Sequence, residues 1–155
     1  MAEVLILMGS PADKDWCKRI SEELKKFGIN STIRIASAHK VPEITIDIIK
    51  STNCDLIITV ASRSNALSGL TDGATSRPVI ACPPLDAQNL MYDIYSTVRM
   101  PSGIAPLLVL TPENAALASA KVLGIKYQDV KKKVEEFQAE QRARLINADK
   151  ELNDG

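Results

Sequence analysis

The 155-residue chain holds a single histidine, His39. A Ser-His-Asp relay or a multi-histidine metal site has almost no material here, so catalysis would use that one imidazole or proceed by positioning and backbone dipoles. Aromatic residues are also scarce, one Trp, three Tyr and two Phe, which leaves few stacking platforms for a flavin or single-stranded nucleic acid. Lys plus Arg equals Asp plus Glu at 19 each, so the basic excess of a nucleic-acid-binding protein is missing. Cys17, Cys54 and Cys82 are widely spaced, odd in number and unlike any metal-ligand pattern, and they read as free thiols. No apolar run approaches the roughly 18 residues of a membrane span. The opening MAEVLILMGS has neither the basic start nor the apolar length of a secretory signal. These absences predict a cytoplasmic protein with no metal, no membrane contact and no nucleic-acid partner.

What is present alternates between strand and helix patterns from end to end. EVLILM (3–8) is a short apolar run closed by Gly9, as in a buried parallel strand. Residues 13–27 place Trp16, Ile20, Leu24 and Phe27 at helical spacing, and Gly28 supplies the stop. Further strands are expected at 31–37, 55–61, 78–84 and 106–110. Helices are expected from Pro42, over 66–74, over about 87–99, and over 112–124. Five apolar strands alternating with helices imply a parallel sheet covered on both faces. The expected architecture is a flavodoxin-like three-layer α/β/α sandwich, strand order 2-1-3-4-5, formed by residues 1–155 as one domain. The tail differs: over 128–152, Val130, Val134, Phe137, Leu145, Ala148 and Leu152 form a narrow stripe interrupted by Gln141. Such a seam suits either folding back on the sandwich or clasping a neighbouring subunit.

In parallel α/β sheets ligands collect at the carboxyl ends of the strands, beside helix N-termini. The loop Gly9-Ser10-Pro11-Ala12-Asp13 runs into a helix, and its amides and hydroxyl suit an anion. Asp13 either caps that helix or accepts hydrogen bonds from sugar hydroxyls. Ser37-Ala38-His39-Lys40 carries the imidazole, a group that titrates near neutrality, next to a lysine suited to phosphate. Ser62-Arg63-Ser64-Asn65 is a polar loop whose amides could hold a carboxylate or a small molecule such as carbon dioxide, or simply an Asn-capped solvent loop. Cys82, before Pro83 and Pro84, reads as a neutral buried thiol rather than a nucleophile.

Together MGSPAD, SAHKVP, ASRSNALSG, PVIACPP, DIYSTVRMPSG and PENAALASAKVLG resemble, in order and spacing, the PurE family of purine biosynthesis. The loop after the third strand resembles class II, the aminoimidazole ribonucleotide carboxylases. Class I, the N5-carboxyaminoimidazole ribonucleotide mutases, typically has SAHRTP and a loop GAGGAAHLPG. The second histidine of that loop falls at Ala66 here, and the arginine after the first is Lys40. The resemblance implies a cofactor-free enzyme that adds carbon dioxide reversibly to carbon 4 of aminoimidazole ribonucleotide, with a class I mutase or a non-catalytic nucleotide-binding homologue as alternatives. It implies His39 as the proton-transfer group and Gly9, Ser10 and Asp13 on phosphate and ribose, aided by Ser37 and Lys40. Ser62, Arg63, Ser64 and Asn65, with Leu67 and Ser68, would form the carbon dioxide and carboxylate pocket. It further implies a tetramer or octamer, with a C-terminal helix over about 127–152 packed on a neighbour. Two positions depart from the family pattern: Ala12 stands where serine is usual, and Ser62 where glycine is usual. A lost hydrogen bond to a charged phosphate costs about 1.5–3 kcal/mol.

Overall fold

The computed structural model describes residues 1–84 and 90–153. β1 (Glu3–Met8) is buried along its length except at Glu3. It pairs in parallel with β2 (Asn30–Ile35) on one side and β3 (Leu56–Val60) on the other, so that Leu5 faces both Thr32 and Ile57. β4 (Val79–Ala81) and β5 (Leu107–Leu108) extend the sheet beyond β3, giving the all-parallel order β2-β1-β3-β4-β5.

Side chains alternate across a strand, so β1 feeds two cores. Val4, Ile6 and Met8 face α1 (Lys14–Lys26) and α5 (Pro112–Leu123), against Cys17, Ile20, Leu24, Ala115, Ala116 and Ala120. Leu5 and Leu7 face α2 (Pro42–Ser51) and α3 (Ala66–Ala74), against Ile48, Ile49 and Leu67. The buried alanines of α5 let α1 and α5 lie close together, and Arg19 bridges to Glu113 at 2.9 Å across their exposed seam. α4 (Leu90–Val98) lies beside α3. Residues 87–89 of the helix expected there fall outside the described residues. α1 ends where expected: Gly28 has φ 71°, the left-handed region that glycine enters freely, and its N–H donates to the Lys25 carbonyl at 2.9 Å.

Four strands are shorter than their patterns suggest: β3 loses one residue at each end, and the other three stop for local reasons. β2 stops at Ile35 because the Ser37 carbonyl turns to accept from the Val41 amide at 2.9 Å. β4 stops at Ala81 within the apolar run 78–84, since Pro83 and Pro84 bring no N–H to a ladder. β5 keeps two residues at the sheet edge, after Pro106.

At the opposite, amino-terminal edge Asp55 gathers three donors. They are the Glu3 amide at 3.0 Å, Lys126 Nζ at 2.9 Å and the Tyr127 hydroxyl at 2.9 Å, which together tie the α5–α6 turn to the sheet. α6 (Gln128–Asn153) then divides in two. Val130 and Val134 are buried in the α1/α5 core and Phe137 meets Phe27 edge-on at 5.5 Å, whereas every residue from Ala139 to Asn153 is exposed. Among the described residues no helix is long and apolar enough to cross a membrane.

Candidate active site

From β1 the chain crosses to β2, and from β3 it departs the other way to β4, so the crevice between β1 and β3 is the switch point where such sheets bind ligands. β1, β2 and β3 end level at Met8, Ile35 and Val60. The loops that follow them enclose a cleft of about 330 Å³. A wider groove of about 510 Å³ between α5 and α6 holds no histidine and lies away from the strand ends.

The first wall is the approach to α1. The Gly9 amide donates to the Val60 carbonyl at 2.9 Å, fixing the loop to β3. Ser10 caps the 3-10 turn Pro11–Asp13, its Oγ accepting from the Ala12 amide at 3.3 Å. Asp13 stands at the start of α1, makes no side-chain cap bond and is 8% exposed; burial raises its carboxyl above the ordinary carboxylate range. A carboxylate poorly solvated by its own protein is disposed to accept hydrogen bonds from a ligand.

The second wall is a turn built around Ser37. Its Oγ accepts from the Lys40 amide at 3.3 Å, and its carbonyl accepts from the Val41 amide. That turn leaves His39 and Lys40 exposed at the cleft instead of turned into the sandwich.

The third wall is the turn after β3, where Ser62, Arg63 and Ser64 are exposed and Ala61 and Leu67 form an apolar floor. Arg63 has φ 61°, a left-handed conformation uncommon in residues with a Cβ.

All the expected site residues except Asn65 and Ser68 line the cleft. Those two lie behind the third wall, almost fully buried. Asn65 caps α3, its Oδ1 accepting from the Ser68 amide at 3.2 Å and the Ser68 hydroxyl at 2.8 Å. A backbone N–H can only donate, which fixes the amide orientation; Asn65 Nδ2 then donates to Thr97 Oγ1 at 2.8 Å. Because the Ser68 proton goes to Asn65, the Thr59 hydroxyl is the donor in its 2.7 Å bond to Ser68. Sequence reasoning missed the α4 side chains that meet this wall. Asp93 Oδ2 accepts from the Arg63 amide at 2.9 Å, and Ser96 Oγ accepts from the Asn65 amide at 3.0 Å. It also missed Ala38 and Ala61 as lining residues, while Ala12, singled out as a departure from the family pattern, lines the cleft as well. Their signal was their place beside the polar positions, where a small side chain leaves room.

Cys82 is fully buried, and burial pushes its thiol up to about 12, as it does for Cys17. Neither supplies a thiolate at neutral pH. Among the described residues no group of three or more His, Cys, Asp or Glu gathers closely enough to hold a metal.

Fold and cleft together define a flavodoxin-like α/β/α protein whose cleft is lined by the start of α1 and one exposed histidine. The family model described as AIR carboxylase matches residues 3–144. The chain is 49% identical over 152 residues to a phosphoribosylaminoimidazole carboxylase of Archaeoglobus fulgidus, covering 97% of this chain and 84% of that one. A protein of the same name from Treponema denticola is 42% identical over 153 residues, covering 96% of each. The crystal structure of Treponema denticola PurE superposes with a TM-score of 0.94 at 42% identity, covering 98% of this chain and 99% of that one. The chain belongs to the AIR carboxylase family.

Proposed function

We propose that this protein catalyses the reversible addition of carbon dioxide to carbon 4 of 5-aminoimidazole ribonucleotide, in the class II manner, within de novo purine biosynthesis. The observation that carries this is the chain's one imidazole, His39, exposed in a cleft between the α1 start and the polar turn after β3. The phosphate sits at the α1 start with Ser10 and Lys40, and Asp13 accepts from the ribose hydroxyls. Ala61 and Leu67 give the apolar gas a floor, and the Ser62–Ser64 turn supports the developing carboxylate.

The substrate ring is an electron-rich enamine. Its carbon 4 supplies an electron pair to the carbon of carbon dioxide, one C=O π pair moves onto oxygen, and a new C–C bond forms. His39 then takes the proton from carbon 4, and the electrons of that C–H bond restore the aromatic ring. Confining both reactants supplies part of the barrier reduction, up to about 7–11 kcal/mol in well-oriented systems. A positioned base adds roughly 10²–10⁴-fold. No metal, biotin or ATP is required for this bond.

Ala66, at the place of the second class I histidine, and Lys40, in place of arginine, favour the carboxylase over the mutase. The exposed Ala12 methyl on the phosphate wall and the Ser62 side chain at the cleft are the features that favour a non-catalytic nucleotide binder. The positive φ of this turn falls on Arg63, so the added Cβ of Ser62 brings no left-handed strain.

Incubation with the 4-carboxylated nucleotide without ATP should release carbon dioxide and lower the product absorbance, and His39→Asn should lose most of that activity while remaining folded. No signal at pH 7–8 rejects catalysis, and stabilisation by the nucleotide without turnover identifies a binder. Conversion of the N-carboxylated carbamate that survives a carbon dioxide trap identifies the mutase. The same reading includes a single domain in a soluble, cytoplasmic homo-oligomer, tetrameric or octameric, with the exposed Leu145, Ile146 and Leu152 of α6 covered by a neighbour. Leu145→Glu together with Leu152→Glu should then lower the sedimenting mass, and an unchanged mass removes α6 from the contact.

A further inference from the structure

The turn after β3 adopts a shape that its own sequence does not favour. Arg63 at φ 61° is left-handed without being Gly, Asn or Asp, and such a residue persists only where its surroundings over-determine it. The surroundings here come from α4, about thirty residues further along the chain. The Arg63 amide donates to Asp93 Oδ2 at 2.9 Å. Ser96 Oγ lies 2.9 Å from the Arg63 carbonyl and 2.8 Å from the Asp93 carbonyl, sharing its one proton between them, while it accepts from the Asn65 amide at 3.0 Å. Both peptide groups flanking the strained position are therefore gripped by a pair of side chains one helical turn apart. Behind them Thr97, 2% exposed, accepts from Asn65 Nδ2 at 2.8 Å, and the series continues through Ser68 to Thr59 on β3.

We propose that Asp93, Ser96 and Thr97 are positioning residues, which hold the Ser62–Asn65 turn in its left-handed form and so set the wall of the cleft opposite His39. None of the three lines the cleft, so their influence passes through the turn. What the turn does for catalysis rests on the carboxylase reading; how it is held does not. Asp93 fixes the amide before the strained Cα, Ser96 fixes the groups after it, and Thr97 fixes the cap that starts α3.

The test uses Asp93→Ala, Ser96→Ala and Thr97→Val, with Thr97→Ser as the conservative control. Amide hydrogen exchange by NMR reads the turn without reference to turnover. Exchange at Arg63 should accelerate at least about tenfold in Asp93→Ala, and at Asn65 in Ser96→Ala, with β1 and β3 amides unchanged. Misplacement of a reacting partner by about 1 Å can cost roughly a hundredfold. Turnover should therefore fall between about tenfold and a hundredfold in both directions, with the KM of the non-carboxylated nucleotide within about twofold, because the phosphate wall is untouched. Thr97→Ser should retain wild-type values and Thr97→Val should not. Wild-type exchange at Arg63 and Asn65 in Asp93→Ala and Ser96→Ala overturns the proposal, as does a loosened turn with undiminished kcat. An inactive wild type whose turn nevertheless loosens in the variants overturns the carboxylase reading and leaves the positioning role standing. Should Ser96→Ala fail to fold, Asp93→Ala carries the same measurement, since Asp93 is only half-buried.

Discussion

Trp16 donates its indole N–H to the carbonyl of Cys82 at 3.1 Å, so the helix that begins at the cleft is pinned to the end of β4. Trp16→Phe keeps the apolar ring and leaves that carbonyl without this donor. Unfolding free energy should fall by about 1–2 kcal/mol, read from the urea midpoint by circular dichroism. As Trp16 is the chain's one tryptophan, its fluorescence in the parent protein reports directly on this joint.

The buried carboxyl of Asp13 costs the fold stability at neutral pH. Burial raises its native pKa, so the folded state holds the proton more tightly than the unfolded chain. Its contribution to stability is therefore best below the unfolded value and declines as pH climbs from there through the native value. Asp13→Asn should melt higher than the parent at pH 7, with the gap closing in acid, while the nucleotide KM rises. An equal or lower melting temperature at pH 7 contradicts this account.

Asp55 has the opposite sign. Burial works against its charge, but hydrogen bonds from Lys126, the Glu3 amide and Tyr127 outweigh that and hold its pKa below the ordinary value. The stabilisation is present above the unfolded carboxylate range, near pH 4, and is lost as pH falls through the native value. Asp55→Asn should lower the urea midpoint at pH 7 and flatten its decline below about pH 4. Activity at pH 7 should be unaffected, because Asp55 stands at the far edge of the sheet from the cleft.

In the proposed phosphate site, Ala12→Ser adds a hydroxyl. The nucleotide KM should drop several-fold, up to about tenfold, with kcat unchanged, the mark of binding that is equal in ground and transition states. Because Ala12 is exposed, the melting temperature should barely move. An unchanged KM means that Lys40 or a backbone amide already serves that oxygen.

Local pattern carried the sheet. The apolar stretches within 3–8 and 55–61 marked β1 and β3 because both are buried on both faces, and Gly28 marked the end of α1 through its left-handed turn. β5 was harder to delimit, since at an edge two paired residues and five apolar ones look alike in sequence. The stripe on α6 did not reveal that Val130 and Val134 bury within this chain while Leu145 and Leu152 do not, because both halves share one spacing. At the cleft, strand ends brought His39 and Asp13 together predictably. The grip of Asp93 on Arg63 was not legible: nothing in Ser62-Arg63-Ser64 announces a left-handed residue, and its partner lies 30 positions away. Asn65 read either as a helix cap or as a ligand-facing residue, and Ser68 as ligand-facing; the structure shows Asn65 as the cap of α3. Sequence shows that they are polar but not that Thr97 and Thr59 already occupy them.

The buried series Thr59–Ser68–Asn65–Thr97 roots one side of the cleft in a strand with no solvent contact at Ile58 or Val60. Segments anchored in this way open with the sheet and not ahead of it. On warming, loss of the cleft's shape and melting of the whole domain should coincide, leaving no temperature interval in which an intact scaffold carries a collapsed cleft.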